Sequence, residues 1–121
     1  MTFNIPIVII VYNRPFQTKK LLKKLEDVKP KNLIIISDGP KKNSLDIKKN
    51  LEVRKITKKI NWSCKKIYIN SKHNLGLKKR IYTGLNFVFK KFDQAIILED
   101  DCLPNDSFFY FCNKLLKVYK K

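Results

Sequence analysis

Four short runs of aliphatic residues punctuate the chain, and between them apolar positions recur every three to four residues. "IPIVIIVY" (Ile5 to Tyr12) is continuous and β-branched, as a strand buried on both faces requires. It stops at "NRP", where Asn13 is a candidate helix cap and Pro15 suits a first helical turn. Leu21, Leu22, Leu25 and Val28 then share one helical face, with lysines opposite. "LIIIS" (Leu33 to Ser37) is a second buried strand, ended by the turn signal "DGP". Ser44 is a candidate cap for a basic helix through Leu45, Leu51 and Ile56 to about Ile60. "KIYIN" (Lys66 to Asn70) is a shorter third strand. After the loop "SKHNLG" the pattern predicts a helix with Ile81, Leu85, Val88, Phe89 and Phe92 facing inward. "AIILE" (Ala95 to Glu99) is the fourth strand. A closing helix from Ser107 to about Tyr119 follows, capped by Asp106 and Ser107, with Phe108, Phe111, Leu115 and Tyr119 inside.

The predicted order, β-α-β-α-β-α-β-α, is that of an α/β protein: a Rossmann-like, mainly parallel sheet with helices on both faces. Right-handed crossovers bring the carboxyl ends of all the strands to one edge, where such sheets bind ligands. That edge would collect Tyr12-Asn13-Arg14, Ser37-Asp38-Gly39, Asn70 with the His73-Asn74 loop, and Glu99-Asp100-Asp101. Every polar cluster adjoining a strand falls on the same rim.

Composition narrows the class. At 121 residues and 44% hydrophobic, the chain is long and apolar enough for one folded domain, taken here as residues 1–121. No apolar run approaches the roughly 20 residues that span a bilayer. The opening "MTFNIPIVIIVYNRP" lacks the basic segment and cleavage site of a signal peptide, and a strand fits it better. Cys64, Cys102 and Cys112 lack metal-ligand spacing and read as reduced thiols of a cytoplasmic protein.

With 27 Lys and Arg against 10 Asp and Glu, the formal net charge is +17. Such a charge invites a nucleic-acid or anionic-membrane partner. Lys heavily outnumbers Arg, however, and the lysines come as dispersed pairs, which argues against a reader of nucleic acid. The tail "FFYFCNKLLKVYKK" interleaves aromatics with lysines as an interfacial helix does, yet its apolar positions also fit packing against the sheet.

Against this basic background Glu99, Asp100 and Asp101 stand side by side after the fourth strand. Adjacent carboxylates repel and are best accommodated facing a cation. Their oxygens suit a hard divalent ion such as Mg²⁺ or Mn²⁺, which keeps positions open for phosphate oxygens. The P-loop "GxxxxGK[ST]" and the "GxGxxG" turn are missing, and three glycines leave no room for a glycine-rich loop elsewhere. Diphosphate charge would fall to the metal and to Arg14, Lys79 or Arg80. His73, the single histidine, lies in a polar loop and reads as a surface or hydrogen-bonding residue rather than a base.

The ordered set "PIVIIVYNRP…LIIISDGP…NLGLKKRIYTGLNFVF…AIILEDDCLPNDSFFYF" resembles the nucleotide-sugar-binding half of GT-A fold glycosyltransferases. It is most similar to the N-acetylglucosaminyltransferase I-like group and related bacterial sugar transferases, which carry "EDD" in place of "DxD". The resemblance implies that Asp101 ligates the metal bridging the donor diphosphate. Asp100 would contact the sugar or support the metal shell, and Glu99 the ribose. Asp38 would read the uracil edge, Tyr12 and Arg14 would contact the nucleotide, and Asn74 and Gly76 with Arg80 would shape the loop near the donor. A complete enzyme of this kind would be an inverting transferase, passing a sugar from a UDP-sugar to a glycan or lipid-linked acceptor.

The chain departs from that pattern in one respect: no carboxylate follows Asp106, so no downstream general base is in view. The expectation is therefore the N-terminal, donor-binding part of a longer glycosyltransferase, cytoplasmic or peripheral at the inner face of the membrane. The alternatives are a non-catalytic nucleotide-binding α/β module and, third, a basic module binding nucleic acid or a membrane surface.

Overall fold

Ile7, Ile9 and Val11 face one side of the first strand, Val8 and Ile10 the other, and all five are buried. A strand covered on both faces cannot alternate apolar with polar, which is why this run is continuous. The computed structural model describes residues 3–119. Its elements run β1 (Ile7–Val11), α1 (Pro15–Val28), β2 (Asn32–Ser37), α2 (Ser44–Lys58), β3 (Lys65–Asn70), α3 (Leu77–Lys91), β4 (Ile96–Glu99) and α4 (Asp106–Tyr119). Every strand pairing is parallel, and the sheet order is β3-β2-β1-β4. This is the Rossmann-like alternation that the hydrophobic pattern predicts.

The register sets Ile7 beside both Leu33 and Ile96, and Ile9 beside Ile35 and Leu98. On that face α1, α2 and α4 contribute Leu21, Leu25, Val53 and Phe109 to the larger core. On the other face Val8, Ile10, Ile34 and Ile36 are covered by α3 through Val88, with Ile81, Leu85 and Phe92 at the margin. After β1 the chain steps outward to β2 and β3, then returns to place β4 on the other side of β1. The strand order therefore reverses at β1, and the carboxyl ends of β1 and β4 lie side by side at the edge where such sheets carry a ligand crevice.

Three helical faces differ from the periodicity reading. On α2, Leu45 and Leu51 are exposed, whereas Asp46, Asn50, Val53 and Thr57 are buried. Polar side chains face inward there because they bind the main chain of the rim loops, as described below. On α3, Val88 is buried as predicted, but Phe89 is exposed. On α4 the inward residue is Phe109, 3% exposed and packed edge-on against Phe3, while Phe108, Phe111 and Leu115 are exposed. The apolar stripe of α4 is wider than its contact with the sheet, and the helix turns Phe109, Cys112 and Leu116 toward the core, one position from the predicted face; the side chain of Tyr119 lies outside the described residues.

The caps differ as well. Arg14, not Asn13, stands at the N-cap of α1, without a side-chain cap, and Pro15 opens the helix. Asn43, not Ser44, caps α2, its side-chain oxygen accepting the Asp46 N–H at 2.8 Å. Among the described residues no helix is long and apolar enough to cross a membrane.

Candidate functional site

The crevice at the strand reversal is a cleft of about 430 Å³. Tyr12, Asn13 and Arg14 line it after β1, Asp38 and Lys41 after β2, Asn74 and Gly76 before α3 with Leu77 at its start, and Glu99, Asp100 and Asp101 at the end of β4 and just beyond. Of the rim residues singled out in the sequence, Tyr12, Asn13, Arg14, Asp38, Asn74, Gly76 and the acid triplet line this cleft, whereas Ser37, Gly39, Asn70, His73, Lys79 and Arg80 do not.

Arg14 is the cation nearest the acid triplet. Its Nη1 lies 3.5 Å from Asp100 Oδ1 and 3.8 Å from Asp101 Oδ2, so one guanidinium spans the two carboxylates. Asp100 is largely enclosed, its side chain 11% exposed, whereas Asp101 is 57% exposed at the lip. Burial raises the Asp100 carboxyl above the usual range; the neighbouring charges of Asp101 and Glu99 add to this and Arg14 opposes it. Glu99 is exposed at the end of β4.

No group of three or more metal-ligating side chains converges among the described residues. The triplet can offer one or two carboxylates, chiefly from Asp101 and Asp100. Such a donor set suits Mg²⁺ or Mn²⁺ shared with ligand phosphates and water, not a closed protein cage.

Asp38 is buried and its carboxylate organises the opposite wall. Oδ1 accepts hydrogen bonds from Gly39 N–H (2.8 Å), Ser71 Oγ (2.8 Å) and Leu75 N–H (2.9 Å). Oδ2 accepts from Gly76 N–H at 3.0 Å and Asn74 Nδ2 at 3.2 Å. A carboxylate has about four lone-pair sites, so these donors saturate it. In this arrangement its acceptor capacity is spent on the loop that shapes the cleft, not left free for the edge of a base. Two glycines make the loop possible. A Cβ on Gly39 would stand 2.5 Å from the carbonyl carbon of His73, and Gly76 holds φ at 88° just ahead of α3.

Tyr12 is tied as firmly. Its hydroxyl donates to Asp46 Oδ2 and accepts from Lys41 N–H and Asn74 Nδ2, each at 3.3 Å. Burial, followed by the hydrogen bond to Asp46, pushes its pKa up to about 12. Asp46 also accepts from Asn13 Nδ2 (2.8 Å) and Lys41 N–H (2.7 Å). Burial alone would raise the Asp46 carboxyl, but the bonds from Tyr12, Lys41 and Asn13 outweigh it and hold it below the ordinary value.

Two further α2 side chains join the strand ends. Asn50 Nδ2 donates to Tyr12 O at 2.9 Å and Asp38 O at 3.0 Å. Arg54 Nη2 donates to Asp38 O at 3.1 Å and Ser71 O at 2.8 Å. Asp46, Asn50, Arg54 and Ser71 were not anticipated from the sequence. A signal was present: positions 46, 50, 53, 54 and 57 fall on one helical face, whereas Leu45 and Leu51 do not.

Arg80 does not line the cleft. It is buried on the sheet side of α3, one turn before Gly84, and its Nη2 donates to Thr83 Oγ1 at 3.1 Å. Helical spacing places residues 80 and 84 on one face, and Gly84 lies against Ile36, so Arg80 is drawn under the helix rather than toward the rim. His73 is exposed, and its main chain packs against Gly39.

Compared with protein-family models, curated proteins and solved structures, the chain matches none of them. Sequence and structure together support a Rossmann-like α/β module of the general nucleotide-binding kind, a four-stranded parallel sheet with flanking helices, compatible with the GT-A glycosyltransferases but not specific to them.

Proposed function

We propose that the cleft binds a nucleoside diphosphate, and that the chain is the donor-binding module of a metal-dependent, GT-A-type glycosyltransferase using a UDP-sugar. The observation that carries this reading is the position of the cleft. It lies at the strand reversal, with a carboxylate pair and Arg14 at one end and the Tyr12–Asn74 wall at the other. Doubly wound sheets bind nucleotides at this point.

Each group then has a task set by its chemistry. The Tyr12 hydroxyl is fully hydrogen-bonded, so its ring is what remains to meet a base. Arg14, with a half-exposed side chain, can turn from the carboxylates toward a phosphate oxygen. Asp101, the more exposed acid, would hold the divalent ion, with Asp100 behind it. When bound, Mn²⁺ or Mg²⁺ supplies Lewis-acid stabilisation of a departing diphosphate.

Binding is the part of this reading that the geometry favours most, and a non-catalytic nucleotide-binding module satisfies the same observations. Transfer to a glycan or lipid-linked acceptor rests on the resemblance. The net charge of +17 suits work at the cytoplasmic face of an anionic membrane.

Calorimetric titration of UDP with Mn²⁺ and with EDTA, on the wild type and Asp101→Ala, tests the reading. Metal-dependent binding lost in the variant supports it; no binding by a folded wild type refutes it. Release of labelled sugar from UDP-sugars to an acceptor separates a transferase from a binding module. Salt-sensitive binding to RNA or heparin that is indifferent to Asp101→Ala would favour a polyanion-binding role instead.

A further inference from the structure

One buried carboxylate holds three residues of the cleft wall without lining the cleft itself. Asp46 accepts hydrogen bonds from the Tyr12 hydroxyl, Asn13 Nδ2 and Lys41 N–H, and all three donors belong to lining residues. We propose that Asp46 is a positioning residue for the base-binding end of the cleft, fixing the Tyr12 ring so that it presents one face to a planar ligand. The consequence for affinity rests on the nucleotide-binding reading above; the positioning of Tyr12 does not.

An acid in the first turn of a helix commonly serves the helix, through its dipole or by a reciprocal cap. That role does not account for the partners seen here. The cap of α2 is Asn43, which already accepts the Asp46 N–H. The Asp46 side chain is directed away from its own helix, to residues 33 and 34 positions earlier in the chain.

Tyr12 shows what the arrangement achieves. A phenol hydroxyl offers one donor and two acceptor sites. The donor goes to Asp46, and the acceptors are taken by Lys41 N–H and Asn74 Nδ2. The hydroxyl has nothing left for a ligand, and the ring cannot swing without breaking all three bonds. A rigid aromatic face supplies stacking with little ordering cost on binding. Without Asp46 the hydroxyl has no acceptor, and Asn13 is also released.

The test uses Asp46→Ala, Asp46→Asn and Asn43→Ala, the last weakening the start of α2 without touching Tyr12. UDP and inorganic pyrophosphate are titrated into each, with Mn²⁺. Asp46→Ala is expected to weaken UDP about tenfold and leave pyrophosphate within about twofold, since only the base uses the ring. Asp46→Asn keeps one acceptor and should fall between, while Asn43→Ala should lower thermal stability with UDP affinity retained. UDP binding unchanged in a folded Asp46→Ala chain overturns the proposal. So does an equal loss for UDP and pyrophosphate. A wild type that binds neither probe refutes the nucleotide reading, and ring NMR then decides the role of Asp46. With Tyr12 assigned through Tyr12→Phe, loss of the Tyr12 ring's NOE contacts to the Lys41 and Asn74 protons in Asp46→Ala supports positioning, and unchanged contacts overturn it.

Discussion

Asp38 Oδ2 accepts the backbone N–H of Gly76 at 3.0 Å, a bond that joins the end of β2 to the N-cap of α3 across 38 positions of chain. The same carboxylate receives Gly39 and Leu75 N–H. Asp38→Ala would leave the Leu75 and Gly76 N–H groups without an acceptor, while Gly39 N–H keeps Ser71 Oγ at 3.0 Å. A loss of about 3 kcal/mol in urea unfolding is expected, since charge-assisted bonds to buried donors are involved. A loss below about 1 kcal/mol would mean that the loop holds its shape by other means.

The two loop glycines should fail in different ways. Gly39→Ala forces a methyl into the main chain of His73 and must displace the 71–76 loop, at a cost of about 1–3 kcal/mol. Gly76→Ala meets no neighbour but strains a φ of 88°, costing about 1–3 kcal/mol. Amide shifts around Asn74 should therefore move widely in the first variant and stay local in the second.

Tyr12 and Asp46 make stability depend on pH at opposite ends of the scale. The Tyr12 pKa is raised to about 12, so the folded chain keeps a proton that the unfolded chain releases near pH ~10. Its stabilising contribution is whole below about pH 10 and is lost as pH rises toward 12. Asp46 is lowered, chiefly because hydrogen bonds from Tyr12 and Lys41 overcome burial. Its contribution is present above about pH 4 and disappears as pH falls below that value. The difference in urea unfolding between wild type and Tyr12→Phe from about pH 9 to about pH 12 isolates the Tyr12 part. The variant should keep only the smaller slope due to Tyr68, Cys64 and Cys112, whose burial also raises them.

Arg14 occupies the place of a cation beside Asp100 and Asp101, so its removal should separate ion binding from ligand binding. The pairs are long and the guanidinium is half exposed, so Arg14→Ala should change stability by no more than about 1 kcal/mol. Under the proposed function it should tighten the binding of Mn²⁺ alone and weaken that of UDP with Mn²⁺. Parallel changes in both titrations would contradict a phosphate-facing role for Arg14.

The register of α4 can be read by truncation. Phe109→Ala empties a core position and should cost about 3–5 kcal/mol, whereas Phe111→Ala, at a side chain 60% exposed, should stay within about 0.5 kcal/mol. Denaturant midpoints would show the reverse order if the helix were turned by one position. The exposed stripe of Phe108, Phe111 and Leu115 also predicts that Phe111→Lys reduces self-association in sedimentation.

Strand and helix order, and the edge on which the rim clusters meet, were legible because periodicity is a local property and crossover handedness leaves one arrangement. Tyr12, Arg14, Asp38, Asn74 and the acid triplet could be placed around one cleft for that reason. Asp46, Asn50 and Arg54 were not legible as part of it. Their inward face is polar, and a search for buried residues follows apolar ones; what stabilises them is the main chain of loops lying elsewhere in the sequence. Arg80 erred in the opposite direction: it reads as a rim cation, but the contact of Gly84 with Ile36 sets the helix rotation and draws it under α3. The choice among Phe108, Phe109 and Phe111 turned on the same quantity. The amino-acid sequence by itself determined the elements, their order and the edge where the chemistry gathers. Only the tertiary structure decided how each helix is rotated and which donors meet which acceptors, because those depend on contacts between segments that no local pattern relates.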